Sequence, residues 1–248
     1  MAADDSGPLD VGALLRELPC DREGRWNALK VFFKGWYGEI GPADGYTEQS
    51  ICAAEERLKL TLPTALREWY ALAGKRTNVW SCQDRFLPPD KLRAEDNRLV
   101  IYVENQGVVK WAIQLQDLAD DDPPVFVTDP QDSADWIEES PAVSAFALSQ
   151  MLLGAKFSES TTYSANGQAT NASLAAVARS YVRLGFPDLK WPLGPTRIYG
   201  GRDLVIETEG ENWIWVSGKS SATFRDAVDL IGRTGVLWEQ VTEDHRFP

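Results

Sequence analysis

Residues 117–136 read DLADDDPPVFVTDPQDSADW, a run in which carboxylates crowd around one short apolar segment. Carboxylates at close spacing can hold a cation, share a proton in acid–base chemistry, or present charge to a partner. A calcium loop of EF-hand type needs oxygen ligands at positions 1, 3 and 5, glycine at 6 and glutamate at 12. Counted from Asp129, positions 3, 5, 6 and 12 are Gln131, Ser133, Ala134 and Ser140. Counted from Asp120, positions 3 and 5 are Asp122 and Pro124. Both registers fail, so no metal site is expected, and no cofactor site is expected elsewhere.

Catalysis lacks partners for these acids. The one histidine, His245, stands three residues from the end of the sequence. A general base or zinc ligand must be held by rigid surroundings, whereas chain ends tend to fray. Neither GxGxxG nor GxxxxGK[ST] occurs, so nucleotide phosphates have no backbone cradle. Gly200 and Gly201 read as a turn. Serine triads lack a base, and carboxylate pairs are too numerous for any one to stand out. Cys20, Cys52 and Cys82 are odd in number and far apart, which fits neither a disulfide framework nor a CxxC site. They read as buried or bystander thiols. The expectation is a protein that is not an enzyme.

What remains for the acids is a surface role. No Lys or Arg occurs between Lys110 and Lys156. Nine acids fall there: Asp117, Asp120, Asp121, Asp122, Asp129, Asp132, Asp135, Glu138 and Glu139. Such a set reads as an unpaired, self-repelling face. It serves either as a solubilising surface or as a docking surface for a basic protein. Complementary charge would speed association and select the partner, while affinity needs buried aromatic anchors. Trp136, beside the acids, is the candidate anchor; its other reading is a core residue. Reversing Asp120, Asp121 and Asp122 to Lys is expected to slow complex formation and leave the fold intact.

The whole chain agrees with that sign. It has 248 residues, 25 basic and 37 acidic, for a net charge of −12. That balance disfavours nucleic acid and anionic membranes as partners. The start, MAADDSGPLD, has acids where a secretory leader has basic residues. No stretch of about 20 apolar residues spans a bilayer. The expected location is the cytoplasm.

The elements that must position these residues follow from periodicity. Helices are expected over 9–18, 47–59, 63–74, 140–155, 171–186 and 221–233. Thr47 and Ser140 are the expected caps of two of them, and Arg67 and Glu68 are expected to be solvated. WNALKVFFKGWYG fits a helix or a strand with a turn. Residues 98–115 read as a hairpin turning at Asn105, Gln106 and Gly107. Strands are expected at 124–128, 135–137, 196–201, 203–210, 212–218 and 235–241. Residues 158–167 read as a polar loop with room for a short strand. In 122–130, Asp-Pro-Pro and Asp-Pro bracket VFV as turn, strand and turn. Hairpins with grouped helices imply an α+β fold.

One run carries a resemblance: Glu55, Leu58, Leu60, Leu62, Pro63, Leu66, Arg67, Glu68, Trp69, Tyr70, Leu72 and Gly74. At this spacing it resembles the N-terminal signature of the SUKH superfamily, the Smi/Knr-type proteins. The hairpin ENQG into VVKWAIQL and DPPVFV at 122–127 are similar as well. The likeness is best over 47–136 and weaker over 141–238. It implies one α+β domain over 47–248, with a mainly antiparallel, curved sheet flanked by helices. Residues 1–46 then form a helical extension packed on that core. It also implies an immunity protein that neutralises a cognate toxin, such as a basic nuclease or deaminase, by stoichiometric binding. The alternative is a regulatory or scaffold protein of the same fold. The family's binding residues vary with the toxin, so none is transferred by position.

Overall fold

The computed structural model describes residues 7–128, 135–192 and 194–242. Asp129, Asp132 and His245 lie outside them, as does the Asp129–Pro130 turn. The helices are α1 (Val11–Leu15), α2 (Arg22–Tyr37), α3 (Glu48–Leu58), α4 (Thr64–Ala73), α5 (Thr77–Trp80), α6 (Val143–Leu153), α7 (Asn171–Ser180) and α8 (Ser221–Gly232). The strands are β1 (Arg85–Phe86), β2 (Arg93–Glu95), β3 (Arg98–Val103), β4 (Lys110–Gln114), β5 (Val125–Thr128), β6 (Trp136–Ser140), β7 (Tyr163–Gln168), β8 (Val182–Arg183), β9 (Thr196–Gly201), β10 (Leu204–Glu209), β11 (Trp213–Gly218) and β12 (Leu237–Thr242). The fold is α+β with antiparallel pairing throughout. The strands form two six-stranded sheets rather than one, and neither closes into a barrel.

Among the described residues the chain divides into two compact units. One comprises 21–26 and 40–154 and holds the first sheet; the other comprises 7–20, 27–39 and 155–242 and holds the second. Residues 1–46, read from sequence as one extension, therefore contribute to both units. The span 47–248, read as one domain, is shared between them at Gly154 and Ala155.

In the first unit, α3 starts where Thr47 Oγ1 accepts the Ser50 N–H at 3.2 Å, satisfying an orphan helix donor. The sheet order is β1-β3-β4-β5-β6, with β2 also paired to β3. Asp96 and Asn97, both at positive φ, make the β2–β3 turn, which residues with short polar side chains tolerate. Trp69 stacks on Phe86 with centroids 3.9 Å apart and meets Trp80 and Phe146 edge-on at 5.2 and 6.2 Å. These rings and Trp111, Ile113, Leu99 and Val127 are buried and make the core. Arg67 and Glu68 differ from expectation: Arg67 pairs with Glu55 and Glu48, and Glu68 with Arg22.

In the second unit the order is β12-β7-β11-β10-β9-β8. One sheet face, with Ala165, Ile206, Ile214 and Val216, is covered by Val177 of α7 and by Phe224, Ala227 and Ile231 of α8. Cross-strand partners share a face. Asn166, Trp215 and Glu207, aligned across β7, β11 and β10, therefore belong to the opposite face. Three expectations shift here and at the preceding helix. Ser140 ends β6, opposite Val125, and α6 begins three residues later at Val143. Helix α7 stops at Ser180 because Val182 and Arg183 pair with Gly200 and Tyr199 instead. The polar stretch YSANGQ is β7, held between β11 and β12; two paired neighbours override its weak strand propensity.

Candidate functional site

The acids fall into distinct environments. Asp122 sits at the start of α6, whose own N-cap position, Ala142, supplies no capping side chain. Its carboxylate accepts the Ser144 N–H at 2.9 Å, the Ser144 hydroxyl at 2.5 Å and the Arg25 guanidinium at 2.9 Å. Arg25 and Asp122 side chains are each 11% exposed. A negative charge at a helix N-terminus is favoured by the helix dipole. Asp122 thus caps α6 from outside its own sequence. Reversal of Asp122 is therefore expected to disturb the fold, contrary to the expectation for all three adjacent aspartates.

Asp121 accepts from Thr64 Oγ1 at 2.5 Å and lies 3.5 Å from Arg22, with its side chain 73% exposed. The Thr64 hydrogen bond and the Arg22 charge hold its carboxyl below the ordinary aspartate value. Its carbonyl accepts the Ala65 N–H at 2.8 Å, fixing the loop to the first turn of α4. Asp120 is exposed and makes no ion pair among the described residues. With Asp121 it walls a cleft of about 390 Å³ against residues 59–64. The local absence of Lys and Arg is therefore offset at Asp121 and Asp122 by arginines about a hundred positions away in the chain.

Asp117, half-buried, closes the short turn Leu115–Asp117 after β4, while Asp135, Glu138 and Glu139 lie beside or in β6, which ends the first sheet. Asp135 and Glu138 are exposed, while Glu139 is buried at 2% exposure. Charged side chains on such a strand discourage unwanted pairing. Trp136 is half-buried and packs against Val100, Val103 and Ala112. The Arg98 guanidinium lies 4.8 Å from its ring centroid, a cation–π contact. Trp136 is thus neither core nor free: one side is seated on the outer face of the sheet and part of it meets solvent. Thr128, its partner in register, lies at the opposite end of β5 from the Asp120–Asp122 loop. The acids form two groups joined by the edge strand, not one patch. Asp120, Asp121, Asp135, Trp136 and Glu138 are the members open to solvent, whereas Asp122 and Glu139 belong to the interior.

Sequence reasoning missed a buried ionic group in the second unit. Lys156 Nζ lies 2.8 Å from Glu207 Oε1 and 2.7 Å from Glu209 Oε1. The three side chains are 8, 4 and 11% exposed. The ammonium also sits 5.0 Å from the Trp215 ring and 5.2 Å from that of Phe157. One cation cannot neutralise two carboxylates. Burial first, and the Glu209 charge with it, push the Glu207 carboxyl up to about 8 against the pull of Lys156. Burial alone would lower the Lys156 pKa, but the two glutamates outweigh it and keep the ammonium charged. The alternation of Glu207 and Glu209 in DLVIETEG is the sequence trace of the pair; nothing marks Lys156.

A second cleft of the first unit, about 590 Å³, is lined by Tyr46, Thr77, Ser81, Arg85, Phe86, Lys91, Arg93 and Val103 among others. Among the described residues no group of three or more His, Cys, Asp or Glu is arranged to hold a metal ion. The cysteines form no disulfide there, and Cys20 is exposed rather than buried. No helix of the described residues is long and apolar enough to cross a membrane. In comparison with known proteins, no family model, curated protein or solved structure matches the chain.

Proposed function

We propose that this protein is a non-enzymatic binding protein of immunity type, which neutralises a basic toxin domain by stoichiometric binding in the cytoplasm. The SUKH-like signature over residues 55–74 supplies the class of function. One structural observation carries the surface: Trp136, half-exposed on an edge strand, stands between the exposed acids Asp135 and Glu138. A desolvated aromatic with a charged rim is the usual anatomy of a protein-binding hot spot. The rim acids steer a cationic partner and set the rate of encounter, while the indole supplies affinity. A nuclease or deaminase domain, cationic where it holds its own substrate, has the matching charge.

Co-expression with a toxin domain encoded beside this protein, followed by pull-down, tests the reading. A one-to-one complex that Trp136→Ala weakens supports it. Recovery of the protein alone, or a complex indifferent to Trp136→Ala, contradicts it.

A further inference from the structure

The 590 Å³ cleft of the first unit sets itself apart by charge. In a chain of net charge −12, its lining includes Arg85, Lys91 and Arg93 and not one carboxylate. Arg93 is already engaged by Glu95, and Lys91 lies 3.7 Å from Asp90 with both side chains about 70% exposed, a pair that solvent weakens. Arg85 makes no ion pair among the described residues; its guanidinium donates only to the Asn105 carbonyl, at 3.3 Å. Lys75, next to the cleft, has its ammonium 5.4 Å from the Tyr46 ring. The lining beside Arg85 is apolar: Val103 is its partner in register and Leu87 packs on the same cluster, whereas Phe86 turns to the other face and stacks on Trp69 and Tyr70. Thr77 and Ser81 add hydroxyls to the wall.

The backbone holds this shape open. Gly45 lies so close to α4 that a Cβ there would stand 1.8 Å from the Ala71 carbonyl oxygen. That approach lets the Tyr46 N–H reach the Tyr70 carbonyl at 2.9 Å and sets the Tyr46 ring edge-on to Tyr70 at 5.8 Å. The cleft wall is therefore fixed by packing.

We infer that this cleft binds a small organic anion: an apolar body lying on Leu87 and Val103, with a carboxylate or phosphate head held by Arg85 and Lys91. The volume lies in the range of small-molecule sites, which are mostly apolar with a few convergent polar groups. Arg85 supplies a planar donor fork suited to either head group. The cleft shares Val103 with the cluster on which Trp136 packs, but its assignment does not depend on the toxin-binding reading.

The test is calorimetric titration of the full chain with 3-phenylpropionate, phenyl phosphate and the neutral 3-phenylpropanamide. Binding of at least one anion, tenfold or more tighter than the amide, is expected. The two anions distinguish a carboxylate site from a phosphate site. Arg85 and Lys91 are exposed, so Arg85→Gln with Lys91→Gln should keep the melting temperature and lose the anion preference. Ser81→Trp should fill the cleft and abolish binding of all three probes, and Asp229→Asn, on the exposed face of α8, should leave binding unchanged. Equal binding of anion and amide, retention of the preference in the double variant, or no binding of any probe would each overturn the assignment.

Discussion

Two groups of carboxylates, in two units of the chain, take opposite roles. On the first unit, Asp120, Asp135 and Glu138 face water and make no ion pair among the described residues. On the second, Glu207 and Glu209 share one buried ammonium. Water and salt screen the first group, so its repulsion is mild and its charge is free to act on a partner. The second group has lost water, so its balance decides stability locally. Asp122 and Glu139 show that position in an acidic run does not assign the role: both lie among the surface acids in sequence, yet Asp122 caps a helix and Glu139 is buried. Environment, not the local density of acids, separates an exposed charge from a structural one.

The strongest way to break the comparison is at Lys156. Lys156→Met should leave the buried Glu207 and Glu209 carboxyl groups without their cation and cost about 3–5 kcal/mol, read from urea unfolding at pH 7. A loss below about 1 kcal/mol, the scale of an exposed pair, would place the cluster with the surface acids. Next comes Asp122→Ala, which removes a charge-assisted cap of α6 and should cost about 2–3 kcal/mol. Asp120→Ala, two residues away, should stay within about 0.5 kcal/mol of the wild type.

Proton linkage sharpens the contrast. Glu207 holds its proton more tightly folded, up to about 8, than it does unfolded near the ordinary carboxyl value of 4.5. Between those values the folded chain binds the extra proton, so stability falls as pH rises through the window and levels off above it. Glu207→Gln should remove that fall, as followed by the urea midpoint from pH 5 to pH 9. Asp121, whose carboxyl is lowered, acts in the other direction: its contribution is present above the ordinary aspartate value and lost as pH drops below it. Being exposed, it should contribute the smallest of these effects.

Much of the first unit was legible in its residues. Thr47 marks the start of α3, Pro63 and Gly74 bracket α4, and the alternating 98–115 run gives the β3–β4 hairpin. Those signals are local: caps, prolines and short turns. The parts that escaped are set by distant partners. Residues 163–168 become a strand because β11 and β12 flank them, and 182–183 leave the helix for β9. Asp122 has no nearby cation, and Arg25 reaches it across 97 positions. Trp136 stands beside acids in the sequence, but its half-buried seat under Arg98 comes from the sheet register. Glu207 and Glu209 alternate onto one face of β10, as their spacing indicates, whereas Lys156 comes from a separate turn.

The central claim, that the exposed acids of the first unit steer a basic partner, is tested most directly by stopped-flow association. The full chain and its Asp120→Lys, Asp135→Lys, Glu138→Lys variant would each be mixed with the basic partner that the co-expression pull-down recovers. At low salt the triple reversal should slow association at least tenfold, and 0.5 M salt should shrink that gap toward parity. Equal association rates at low salt, with both proteins folded, would contradict the account.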